Sequence, residues 1–157
     1  MQGHRHAAKV EAGPMTTPPI PAPVVFYDGT CGLCSRLVRA LLAADRHGVL
    51  RFAPLQGPTA AGLRAAHPEI PPGLDSLLLL ERDARGRERV TWRSAAAFRL
   101  AALVGGPWRA LGWLRVLPRA LTDAAYDLVA HSRHRLAGPP DPACPLATPE
   151  VAARFLP

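Results

Sequence analysis

At 157 residues the chain is long enough for one domain with a real core. Its 48% hydrophobic content and mean hydropathy of +0.04 exclude an intrinsically disordered polymer. Nineteen Lys and Arg against 12 Asp and Glu give a formal charge of +7, but Lys9 is the one lysine. The arginines are scattered with few aromatics among them, so no nucleic-acid partner is expected. No apolar stretch is long enough for a membrane span.

Residues 1–22, rich in Pro, Thr and Ala, read as a disordered leader without the apolar stretch of a secretory signal, and Met15 is a candidate start. Pro23 to Tyr27 is a β-branched and aromatic run that reads as a buried strand, closed by the turn pair Asp28-Gly29. Thr30 is placed to cap the helix that follows. Leu33, Leu37, Val38, Leu41 and Leu42 recur at helical spacing up to a stop near His47-Gly48. Val49 to Ala53 reads as a second strand, parallel to the first by a right-handed crossover. Thr59 to His67 reads as a short helix and Pro68 to Gly73 as a rigid loop. Ser76 to Glu81 and Arg87 to Trp92 flank Asp83-Ala84-Arg85-Gly86 and pair as a hairpin. Ser94 is the expected cap of a helix reaching Val104.

The order β-α-β-α-β-β-α is the thioredoxin topology: an α/β fold whose mixed four-stranded sheet is flanked by helices. A C-terminal helical extension (about 107–137) and a tail complete the domain, which spans 23–157. Within the extension, Trp108 to Leu117 and Arg119 to about Leu136 read as helices broken at Pro118. The stripe of Trp113, Leu114, Leu117, Leu121, Tyr126, Leu128 and Val129 is expected to pack against the helices of the sheet.

Three cysteines, an odd number with no export signal, argue against a disulfide framework and for the reducing cytosol, so the expected location is cytoplasmic. In Thr30-Cys31-Gly32-Leu33-Cys34 a C-x-x-C pair falls at the first turn of a helix after the first strand. There the unpaired N–H groups and the helix dipole stabilise a thiolate, lowering such a thiol from about 8.5 to roughly 3.5–7.5. The expected chemistry is exchange: Cys31, exposed, attacks a disulfide, and Cys34, one turn deeper, resolves the mixed disulfide. Asp28 reads either as an acceptor of the Cys34 proton or as a turn-forming residue bonded to local N–H groups. A zinc site needs two further ligands. His131 and His134 with Cys144 are the only candidates, and the expected number of metals is none. Cys144 is otherwise a free thiol or a third redox partner.

Tyr27-Asp28-Gly29-Thr30-Cys31-Gly32-Leu33-Cys34 resembles the signature of the DCC family of predicted thiol-disulfide oxidoreductases, named for the residues that match Asp28, Cys31 and Cys34. The likeness continues through Asp75-Ser76, Arg93 to Ala97, Tyr126 to Ala130 with Arg133 and Arg135, and Cys144-Pro145. The resemblance implies a thioredoxin-like fold and a redox Cys31–Cys34 pair, and little about substrate. Thioredoxins themselves carry Trp-Cys-Gly-Pro-Cys and a cis-proline before the third strand. Here Thr30 and Leu33 stand in the first motif, and Asp75-Ser76 takes the proline's place. Tyr27, Thr30, Gly32, Leu33, Asp75 and Ser76 are therefore the candidate substrate groove. His131, Arg133, His134 and Arg135 form a candidate basic docking patch. The expected partners are a disulfide-containing protein or small thiol substrate and an unidentified reductase or oxidant. No Gly-rich nucleotide loop is present, so no bound cofactor is expected. The alternative is a non-catalytic binding module on the same scaffold.

Overall fold

The strand that leads to the cysteine pair is buried on both faces, because helices cover the sheet on both sides. In the computed structural model, which describes residues 21–137 and 148–157 but not the side chains of 133–137, this strand is β1 (Val24–Tyr27). It pairs in parallel with β2 (Arg51–Pro54) and antiparallel with β3 (Leu78–Arg82), which pairs antiparallel with β4 (Glu88–Trp92). The order β2-β1-β3-β4 is the expected mixed thioredoxin-like sheet. Strand alternation divides the core. Val24, Phe26, Leu78 and Leu80 face α2 (Pro58–Ala66), where Ala60 and Leu63 meet them. Val25, Phe52 and Leu79 face α1 (Gly32–Ala44) and α3 (Arg93–Val104), meeting Val38, Leu41, Ala96 and Leu100.

Three helix ends differ from expectation. Cys31, not Thr30, occupies the N-cap position of α1, and Thr30 is tied instead to Asp28. Helix α3 starts directly from β4 at Arg93, so Ser94 lies inside its first turn, and its hydroxyl donates to Asp123 at 2.5 Å. Helix α1 also stops at Ala44, short of Gly48. Asp45 ends it and turns the chain, its carboxylate accepting from the N–H groups of Val49 (3.2 Å) and Leu50 (2.8 Å).

The extension departs further. Gly106–Val116 is a 3-10 segment with no buried residue, followed by α4 (Arg119–Ala137). Of the expected apolar stripe only Tyr126 joins the core, whereas Trp113 is 80% and Leu128 73% exposed. Apolar spacing along a helix identifies a face but not what covers it.

The tail holds a feature that spacing does not reveal. After α5 (Pro149–Ala152) the last residues run beside β2, with Phe52 and Phe155 bridged in parallel. Phe52 N donates to Arg154 O at 2.8 Å and Leu156 N to Phe52 O at 2.7 Å. Phe155 stacks on Phe52 at 5.4 Å. Gly57 is required here, since a Cβ would sit 2.9 Å from the carbonyl carbon of Pro157. The C terminus thus covers the open edge of β2.

At the far side His67 joins α2 to the hairpin, its ring nitrogens 2.8 Å from Glu69 and 3.0 Å from Glu88. Partial burial pulls its pKa down, but the hydrogen bonds to Glu88 and Glu69 outweigh it and the net shift is upward. A raised pKa stabilises fully below the unfolded value of about 6.5 and is lost as pH rises through the higher folded value. Urea titrations of the parent and His67→Gln should therefore differ at pH 5.5 and converge by pH 8. A constant difference across that range would show a packing role alone.

Candidate active site

The turn between β1 and α1 is built around one buried carboxylate. Asp28 is 4% exposed, and its Oδ1 accepts from Thr30 N (2.9 Å), Thr30 Oγ1 (2.7 Å) and Gln56 Nε2 (2.9 Å). Gln56 in turn accepts from Gly29 N at 3.3 Å, so one side chain from the β2–α2 loop clasps both turn residues. Cys31 N donates to Asp28 O at 3.3 Å, and Cys31 O accepts from Ser35 N at 3.0 Å to begin the helix. These bonds place Cys31 at the N-cap of α1, with Cys34 at the third helical position.

The two cysteines are unbridged and lie 3.8 Å apart. Their exposure is the reverse of expectation: Cys31 is fully buried and Cys34 half-buried. The cause is register. The helix begins one residue after Cys31, which turns back into the core after the exposed Gly29 and Thr30, while Cys34 sits on the first turn toward the surface. Burial nonetheless pushes the Cys34 thiol up to about 12, against an opposing hydrogen bond from the Asp28 backbone. The charge of Cys31, a hydrogen bond to its sulfur and the charge of Asp28 push in the same direction as burial. Asp28 thus fills the turn-forming role, and its charge also acts on Cys34.

Of the remaining groove candidates, Tyr27, Thr30, Gly32 and Leu33 flank this turn, and Asp75 and Ser76 line a cleft that none of those four lines. Tyr27 is half-buried with its ring edge-on to Phe155 at 6.4 Å, Thr30 is exposed, Gly32 is buried and Leu33 is half-buried. The register Phe26↔Leu78↔Trp92 brings the start of β3 and the end of β4 to the end of the sheet where β1 meets the cysteines. A cleft of about 510 Å³ opens there, lined by exposed Asp75, buried Ser76, Arg93, Tyr126 and His131 among others. The Ser76 hydroxyl has no hydrogen-bond partner among the described residues. Arg93 adopts φ 55, the one non-glycine positive φ among them, where the chain passes from β4 into α3. Tyr126 braces the wall, its hydroxyl accepting from Leu77 N at 3.0 Å.

Of the basic patch, His131 is exposed, with Nδ1 2.6 Å from Asp127 O. The side chains of Arg133, His134 and Arg135, and all of Cys144, lie outside the described residues, as does the leader through residue 20. Among the described residues no three His, Cys, Asp or Glu gather as metal ligands. No described helix is long and apolar enough to cross a membrane.

Gln56 and Phe155 were not singled out by motif reasoning, and Arg93 was marked only as part of the family likeness, not as a wall of the cleft. Gln56 stands 28 residues from Asp28, in an unremarked loop, and only the parallel pairing of β1 with β2 makes them neighbours. Replacing Gln56 by Ala removes two hydrogen bonds from the turn. Stability should fall by about 1 kcal/mol, and Cys31 should alkylate several-fold faster. An unchanged labelling rate would mean the clasp does not control access to Cys31.

The chain is 29% identical to the uncharacterized protein YuxK of Bacillus subtilis over 143 residues, covering 91% of this chain and all of that protein. It is 28% identical over 120 residues to a chloroplastic DCC family protein of Arabidopsis thaliana, covering 76% of this chain and 67% of the relative. No solved structure matches it significantly. Residues 25–139, which carry the whole Asp28–Cys34 turn and both walls of the cleft, match one family model, and the chain belongs to the DCC1-like thiol-disulfide oxidoreductase family.

Proposed function

We propose that the protein exchanges thiols and disulfides through Cys31 and Cys34, acting on a disulfide-containing protein or small thiol substrate in a reducing, cytoplasmic setting. The observation that carries this reading is the pair itself, 3.8 Å apart at the first turn of α1. A thiol pushed up to about 12 stays protonated at neutral pH. Cys34 is therefore the poor nucleophile of the reduced pair, and attack falls to Cys31. The Cys31 sulfur displaces one sulfur of the substrate disulfide, forming a mixed disulfide and releasing the first thiolate.

That step also prepares the next. Once Cys31 is bonded to substrate it carries no charge and takes no proton, so two causes of the raised Cys34 pKa vanish. Cys34 loses its proton, with Asp28 the nearby carboxylate that takes it, and attacks Cys31 Sγ. The substrate leaves as its second thiolate, reduced by two electrons, and the protein keeps a Cys31–Cys34 disulfide. An external reductase restores the dithiol, or an oxidant drives the sequence backwards. Tyr27, Thr30, Gly32, Leu33, Asp75 and Ser76 border the approach of the substrate.

Full burial of Cys31 favours one rival, a binding module whose cysteines never turn over. Alkylation in a series of dithiol buffers, with labelled cysteines counted by mass, separates the two. A reversible two-thiol transition between roughly −120 and −300 mV is expected for a working pair. A pair that forms no bond in any buffer would leave the binding module.

A further inference from the structure

We propose that the face formed by the 3-10 segment and the start of α4 docks on an anionic lipid bilayer, lying on its surface without crossing it. Three observations converge. First, the segment Gly106–Val116 buries nothing of itself, and its large apolar side chains face outward: Trp113 is 80%, Val116 81%, Trp108 43% and Leu114 43% exposed. Eleven residues of 3-10 helix is an uncommonly long run for a conformation usually confined to three or four residues. Trp108 and Leu111 turn one edge toward α1 and α3, where they line an apolar cavity with Leu41, Leu77 and Leu100, but no core residue meets Trp113 or Val116 in this way.

Second, the stretch of chain that forms this face is basic, the nearest carboxylates, Glu81 and Asp123, being engaged with Arg99 and Ser94. From Arg93 to Thr122 the chain carries Arg93, Arg99, Arg109, Arg115 and Arg119 and no Asp or Glu. Tryptophans alternating with arginines on an exposed face suit the boundary of a membrane, where the indole lies at headgroup depth and the guanidinium meets phosphate. A protein-binding face of this size is expected to lose charge at its centre. Here Arg109 and Arg115 flank Trp113.

Third, the segment borders a cleft with the chemistry of a phosphate site. About 380 Å³ lies between β4, α3 and the start of α4, lined by Arg89, Arg99, Arg115 and Arg119 with Glu81 as the one carboxylate. Glu81 is already paired with Arg99 at 2.8 Å. The Thr91 hydroxyl in the same wall is sealed from solvent and has no hydrogen-bond partner among the described residues. Arg115 and Ala102 line both this cleft and the shallow depression that holds Trp113 and Val116, so the two surfaces are continuous. A lipid could place its phosphate among the guanidinium groups with its acyl chains beside Trp113 and Val116.

The test is co-sedimentation of the full chain with vesicles of phosphatidylcholine alone or mixed with phosphatidylglycerol, with tryptophan emission as a second readout. Binding confined to the anionic vesicles, weakened by salt and accompanied by a blue shift, is expected. Trp113→Ser combined with Val116→Ser, and separately Arg115→Gln with Arg119→Gln, should each weaken it roughly tenfold or more. These side chains are exposed, so both variants should keep the parent melting temperature, which is checked in parallel. Absence of binding, equal binding to neutral vesicles, or full retention by both variants overturns the proposal. Thermal stabilisation by glycerol phosphate without vesicle binding would likewise overturn it, assigning the cleft to a free phosphate compound. The outcome is independent of the redox chemistry, because Cys31→Ser should bind vesicles as the parent does.

Discussion

Replacing Cys34 by Ser is expected to stop the exchange halfway, with the substrate bonded to Cys31. Intact-mass measurement after incubation with a small symmetrical disulfide should show one covalent adduct per chain, removed by excess dithiol. Cys31→Ser should show no adduct, because the remaining Cys34 thiol is held protonated by burial and by the neighbouring Asp28 charge. Turnover in either variant should fall at least about a hundredfold. The asymmetry is the informative part. An adduct on Cys31→Ser and none on Cys34→Ser would reverse the roles, and the half-exposed Cys34 would then be the attacking sulfur. Adducts on neither would exclude covalent chemistry at this pair and leave the groove as a binding surface.

Arg154→Ala is expected to cost more stability than any surface change on this chain. The Arg154 guanidinium pairs with Asp45 at a site where their side chains are 14% and 4% exposed. Arg154 Nε also donates to Leu50 O at 3.1 Å, and its guanidinium lies 5.6 Å above the Phe52 ring. Removing one partner leaves a buried carboxylate with only two backbone N–H donors, a loss of about 3–5 kcal/mol. The melting temperature should drop by about 6–20 °C for a domain of this size. Arg154→Lys should recover only part of it, since an ammonium cannot serve Asp45 and Leu50 together. A drop under 2 °C would mean the tail is held by Phe155 and its backbone bonds instead. Because Phe155 also meets Tyr27, loosening the tail should speed alkylation of the cysteine pair, which ties the edge of the sheet to the site.

Local chemistry was enough to reveal the pieces of this fold. Continuous apolar runs marked β1 and β3, helical spacing marked α1, and Asp83 to Gly86 marked the hairpin, because each signal is complete within a few neighbouring residues. The same is true of Asp28, Cys31 and Cys34, whose turn and helix entry lie within seven residues of chain. Even there the sequence mistook which sulfur is hidden, because exposure depends on where the helix starts to within one residue, and boundaries are the least determined feature of a periodic pattern.

What remained invisible were the side-chain bonds between distant partners. Arg154 meets Asp45 across 109 residues, Gln56 meets Asp28 across 28, and Tyr126 meets Leu77 across 49. None of these side chains is unusual for its own neighbourhood, so no local signal marks it. The extension shows the opposite limit: its apolar stripe is plain in the sequence, yet a stripe fixes only that a face exists. Whether that face packs inward or stays open is set by the surfaces around it. By itself the sequence determined the strands and helices of the sheet, their order and the dithiol motif at the Cys31–Cys34 turn. The tertiary structure alone decided which sulfur is covered, what clasps the turn, how the last strand edge is closed and which apolar face is left to solvent.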